Sequence, residues 1–129
     1  MASIETRPTK VSNLVKKEFW LETGYCRSAE TLLLTANAEI GMVYETDGDG
    51  TYSEVTAAKV ALLDADIVVL VDDSVYGAGT GDVALNTLKR GPAVVVREQL
   101  KFGDALSAGQ IDTVVAALEV LGFQVGQQV

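Results

Sequence analysis

Only one stretch of this chain repeats its apolar residues at helical spacing. Ile111, Val114, Val115, Leu118 and Leu121 fall on a single stripe. Ser107 precedes the stretch as an N-cap, and Gln110 follows three residues later to complete a capping box. Gly122 is suited to end it in the left-handed conformation. The spacing therefore predicts a helix over 108–121, after which Phe123 and Val125 run back against the body. Upstream, the apolar runs are short and broken by turn residues. Thr31–Leu34, Ile40–Tyr44, Thr51–Val55 and Ala93–Val96 read as strands, and Ile67–Val71 as a strand buried on both faces. Asp47-Gly48-Asp49-Gly50 predicts a four-residue hairpin loop. Residues 77–82 read as a flexible glycine-rich loop, and 83–88 as either a short helix or a strand. Pro92 cannot donate to a ladder, which places Gly91-Pro92 at a strand boundary, an edge or a bulge. The resulting class is mainly β or α+β: a small β-rich domain with one C-terminal helix and an extended N-terminal arm.

With 129 residues the chain is expected to form one domain with a sizeable core. Its 48% apolar and 22% charged residues are ordinary globular composition, unlike that of a disordered or fibrous chain. The formal charge of −8 argues against a nucleic-acid partner. That charge is unevenly spread. Residues 1–28 carry Arg7, Lys10, Lys16, Lys17 and Arg27 against Glu5, Glu18 and Glu22. Residues 29–82 hold eleven acids against Lys59 alone, and the remainder is balanced. No apolar run is long enough to span a bilayer, and Met1–Glu5 lacks an apolar signal region. A soluble protein in a reducing compartment is the expectation, with no membrane partner.

The chemical motifs point away from catalysis. There is no histidine, the usual base for a serine or cysteine nucleophile, and Cys26 is the single cysteine. Read from Asp47 as a calcium loop, the fifth, sixth and twelfth positions hold Thr51, Tyr52 and Ala58, so the hairpin turn is favoured. Gly77-Ala78-Gly79-Thr80-Gly81 lacks the spacing of a dinucleotide loop, and Asp82 would repel a phosphate. The pairs Asp64/Asp66 and Asp72/Asp73 lie in so acidic a stretch that solvated carboxylates are expected. No enzyme activity, cofactor or metal site is expected.

The run Arg90-Gly91-Pro92-Ala93-Val94-Val95-Val96-Arg97 is followed by Leu100 and then by a capped helix ending Ala117-Leu118-Glu119-Val120-Leu121-Gly122. This order resembles the lambda-type head decoration proteins of tailed phages, the capsid-stabilising family. Thr31 to Val43 is similar to that family's entry strand and turn, and Ala58 to Asp66 to its "A-ILL-D-D" segment. The resemblance spans roughly residues 30–125. Residues 72–88 are longer and richer in glycine than the family pattern, and Lys16-Lys17-Glu18-Phe19-Trp20 has no counterpart in it. The resemblance implies a homotrimer seated at the three-fold positions of an expanded bacteriophage shell. It would bind the major capsid protein as a cement protein, resident on the virion surface after synthesis in the host cytoplasm.

On this reading residues 1–28 are an arm and 29–129 the decoration domain. Phe19 and Trp20, flanked by Lys16 and Lys17, are the expected partner-binding residues, since aromatic anchors with charged neighbours make interface hot spots. Two other classes are open. One is a small-ligand- or carbohydrate-binding β-domain using Trp20, Tyr44, Tyr52 and Tyr76. The other is an enzyme with an acid pair in the 64–73 segment.

Overall fold

The computed structural model describes residues 14–18, 26–46, 50–60, 67–91, 93–103 and 105–126. Two sheets share one core. The larger is a closed five-stranded barrel, and the smaller has three strands. Mainly β structure with one long C-terminal helix is what the patterning predicts.

The barrel is built from β2 (Arg27–Leu34), β3 (Val43–Thr46), β4 (Thr51–Glu54), β5 (Ile67–Leu70) and β6 (Gly81–Leu88). Its order is β2-β4-β3-β5-β6, closed by β6 pairing with β2. The β2–β6 ladder is antiparallel along its whole length, from Arg27 opposite Leu88 to Leu34 opposite Gly81. So 83–88 is strand, and the strand starts earlier, at Gly81. The buried Thr87 hydroxyl donates to the Ser28 carbonyl at 2.8 Å, which satisfies a polar group inside the wall. The hairpin β3–β4 forms as its turn signal predicts, with Tyr44 opposite Glu54 and Thr46 opposite Tyr52. β4 also pairs parallel with β2. β5 is buried at all four positions, as its branched apolar run requires, but it runs antiparallel to both β3 and β6. A short helix α1 (Ala57–Val60) follows β4.

The second sheet has the order β1-β7-β8, from β1 (Val15–Glu18), β7 (Ala93–Val96) and β8 (Phe123–Gly126). β7 begins at the residue after Pro92, where a strand loses nothing by the missing N–H. α2 (Ala108–Val120) carries the chain from β7 back to β8 as a parallel crossover. Its capping box forms: the Ser107 hydroxyl accepts from the Gln110 N–H at 3.2 Å, and the Gln110 side chain accepts from the Ser107 N–H at 2.9 Å. Val114, Val115 and Leu118 are buried, Ile111 and Leu121 half-buried, and Val120 points outward.

On the N-terminal side of the boundary expected at residue 28, residues 14–18 and 26–28 are described. Leu14 is completely buried in the shared core, and β1 pairs antiparallel with β7. Cys26 is buried as well, and β2 already begins at Arg27. Where the expected arm is described, it belongs to the body. The reason is non-local: the segment has no clean period of its own, yet β7 offers it a ladder and the core offers Leu14 a site.

Candidate functional site

The four expected partner-binding residues divide between two situations. Lys16 and Lys17 stand on β1, an edge strand with β7 as its one neighbour among the described residues. Lys17 is opposite Val94, and Lys16 falls where the register shifts between Val15 and Lys17. Phe19 and Trp20 lie outside the described residues, as do the Asp47/Asp49 turn and the Asp64/Asp66 pair.

The two sequence motifs that carry the resemblance meet in space. The Gly91 N–H donates to the Leu121 carbonyl at 2.9 Å. A Cβ on Gly91 would collide with the Gly122 carbonyl, so this close approach of the two backbones requires glycine at position 91. Gly122 has φ +98°, the left-handed C-terminal position expected for it. From this contact β7 and β8 leave side by side, with Ala93 opposite Phe123.

Asp72 is engaged in architecture. Its Oδ1 accepts the Ser74 N–H at 3.0 Å, which caps the 3-10 turn Asp73–Gly77. Its Oδ2 accepts both the backbone N–H of Asn86, at 3.1 Å, and the Asn86 side-chain amide, at 3.3 Å. Burial works to raise its pKa, but the hydrogen bonds from Ser74 and Asn86, with help from Arg27, outweigh it and hold the carboxyl below the usual carboxylate range. Residues 73–77, just ahead of the stretch expected to be a flexible loop, are thus a capped turn that seats Val75 in the core.

That turn also positions Tyr76. Its hydroxyl accepts the Ile40 N–H at 3.2 Å, while the residue as a whole is 42% exposed. Burial pushes the phenol up; the Ile40 bond opposes this, and Glu39 and Asp73 add to the rise. The ring lies in a groove of about 230 Å³ between the end of β2 and the start of β6, lined by Thr35, Ala36, Ala38, Val75, Tyr76, Gly79 and Thr80. Of the tyrosines proposed as an aromatic platform, Tyr44 and Tyr52 are buried in the core and present no face to a ligand. Sequence reasoning singled out Tyr76 as an aromatic but missed the groove, because its walls come from segments some forty residues apart. The available signal was a tyrosine set directly against a Gly-x-Gly run.

Among the described residues no group of three or more cysteine or carboxylate side chains could hold a metal ion. No described helix is long and apolar enough to cross a membrane. Cys26 is enclosed, and its carbonyl accepts the Lys89 N–H at 2.8 Å. No protein-family model, curated protein or solved structure matches this chain.

Proposed function

We propose that the protein is a structural virion component, a cement protein that binds the outside of an expanded phage capsid as a homotrimer. The observation that supports this reading is the β1-β7-β8 sheet, whose two outer strands each have one neighbour among the described residues. An edge strand offers a row of N–H and C=O groups to another chain, and β-augmentation uses such a row. β1 brings Lys16 and Lys17 to one of these edges, next to Phe19 and Trp20 in sequence. The meeting of the Gly91 and Gly122 motifs lends further weight, since the resemblance rests on both of them. On this reading the major capsid protein docks along β1, subunits associate through the body, and many weak contacts on one shell gain strength by multivalency. The protein is neither an enzyme nor a cofactor carrier.

The test is the mass of the full chain in solution. Sedimentation equilibrium at micromolar concentration is expected to give three times the 13.6 kDa subunit mass. A monomer at that concentration, and again when bound to capsids, would overturn the trimeric reading.

A further inference from the structure

The groove around Tyr76 has features that the capsid reading does not use. Three of them bear on ligand chemistry. First, Tyr76 is 42% exposed as a residue but held in place: its hydroxyl is tied to the Ile40 N–H, and the turn that carries it is capped by Asp72 and anchored by Val75. A ring fixed before binding costs little entropy to use. Second, none of the lining residues is charged, and the walls carry hydroxyls at Thr35 and Thr80. The Thr35 hydroxyl donates to Glu54 at 2.7 Å and accepts the Asn37 N–H at 3.3 Å, leaving one lone pair for a ligand hydroxyl. Third, nothing lies within 4 Å of the Cβ positions of Gly77 and Gly79, so the loop leaves room above its backbone.

Size and charge narrow the ligand. A volume of 230 Å³ falls short of the roughly 300–1,000 Å³ of drug-sized sites. It takes one ring. The Glu39 and Asp73 carboxylates are close enough to act electrostatically on Tyr76, which disfavours phosphates and carboxylates. A cation finds only one aromatic face, and Glu39 is already engaged by Lys101 at 3.7 Å.

We propose that this groove binds one uncharged pyranose ring, stacked on Tyr76 with its hydroxyls on Thr35 and Thr80. The inference stands whether or not the protein binds capsids. A ring of this size with few polar partners binds with a dissociation constant on the order of millimolar.

The test is amide chemical-shift titration of the labelled full chain with methyl α-D-glucopyranoside, N-acetyl-D-glucosamine, tri-N-acetylchitotriose and choline chloride. At least one of the sugars is expected to give saturable shifts confined to residues 35–38 and 75–80. Tyr76→Ala is expected to weaken binding tenfold or more. Because Tyr76→Ala could disturb the turn, Ala36→Leu serves as a second variant: Ala36 is exposed, and the larger side chain fills the groove without touching the core. It is expected to keep a dispersed spectrum and abolish the shifts. Tighter binding of the trisaccharide assigns the ring to a glycan, and equal affinity assigns it to a free sugar. Absence of saturation with every sugar, persistence of the shifts in Ala36→Leu, or saturation by choline alone would overturn the proposal.

Discussion

At the scale of single residues, two side chains do work that their types alone do not announce. Tyr44 is completely buried, and its hydroxyl has no hydrogen-bond partner among the described residues. Burial first, and then the Glu54 carboxylate across the hairpin, drive its pKa well above that of an ordinary tyrosine. A buried hydroxyl without a partner contributes nothing to offset its lost hydration. Tyr44→Phe is therefore expected to melt at or above the wild-type temperature; a loss of more than about 1 kcal/mol would show that the hydroxyl is bonded after all. Asp72 is the opposite case, a carboxylate with three donors. Its folded pKa is depressed, so its contribution is present above the unfolded value of about 3.9 and is lost as pH falls through the lower folded one. Asp72→Ala is expected to cost about 1–2 kcal/mol at neutral pH, and the gap from wild type to close in that acid window. Acid unfolding of the two proteins side by side measures it; a constant gap down to the lowest pH would assign the loss to packing. Neither role was legible in the sequence. The donors to Asp72 include Asn86, fourteen positions away, and a period-2 reading of β3 would not bury both Val43 and Tyr44.

At the scale of elements, local signals were read well and long-range pairings were not. The capping box, the apolar stripe and Gly122 define α2 within about fifteen consecutive residues, and the strands expected on either side of the Asp-Gly repeat pair as the β3–β4 hairpin. Leu118 is the centre of the α2 stripe and is fully buried. Leu118→Ala is expected to cost about 2–5 kcal/mol, read as a clear drop in melting temperature. A variant that melts like wild type would mean that α2 does not cover the core. β1 shows the limit of local reading. Its four residues have no strand pattern strong enough to stand out, and their partner β7 lies nearly eighty residues on. Deleting residues 1–21 removes β1 and takes Leu14 out of the core. The truncation is therefore expected to lower the melting temperature, by an amount comparable to a Leu→Ala core change or larger. A truncated protein that melts like wild type would show that β1 is dispensable to the body.

At the scale of the whole molecule, a closed barrel carries a small sheet with accessible edges, and the charge is divided along the chain in a related way. The net-negative stretch 29–82 supplies β2 to β5, while the net-basic N-terminal stretch supplies β1 on the small sheet. Closing the barrel removes its own edges, so among the described residues the strands with a single neighbour are β1 and β8. Composition had excluded a strongly basic surface and a histidine-based site, but it could not reveal which edges closure leaves exposed, because that depends on the strand order. Under the proposed docking through β1, Trp20→Ala and the pair Lys16→Ala/Lys17→Ala are separable in the full chain. The tryptophan change is expected to weaken capsid binding by about 2 kcal/mol or more if it is an anchor, and the lysine changes chiefly to alter association rate and salt dependence. The most direct measurement of the proposed capsid binding is co-sedimentation of the 129-residue chain with expanded, DNA-free tailed-phage capsids, with unexpanded shells alongside. The expected result is saturable binding to expanded shells alone, at three copies for each occupied three-fold position. No binding to expanded shells by a well-folded, full-length protein would contradict the account.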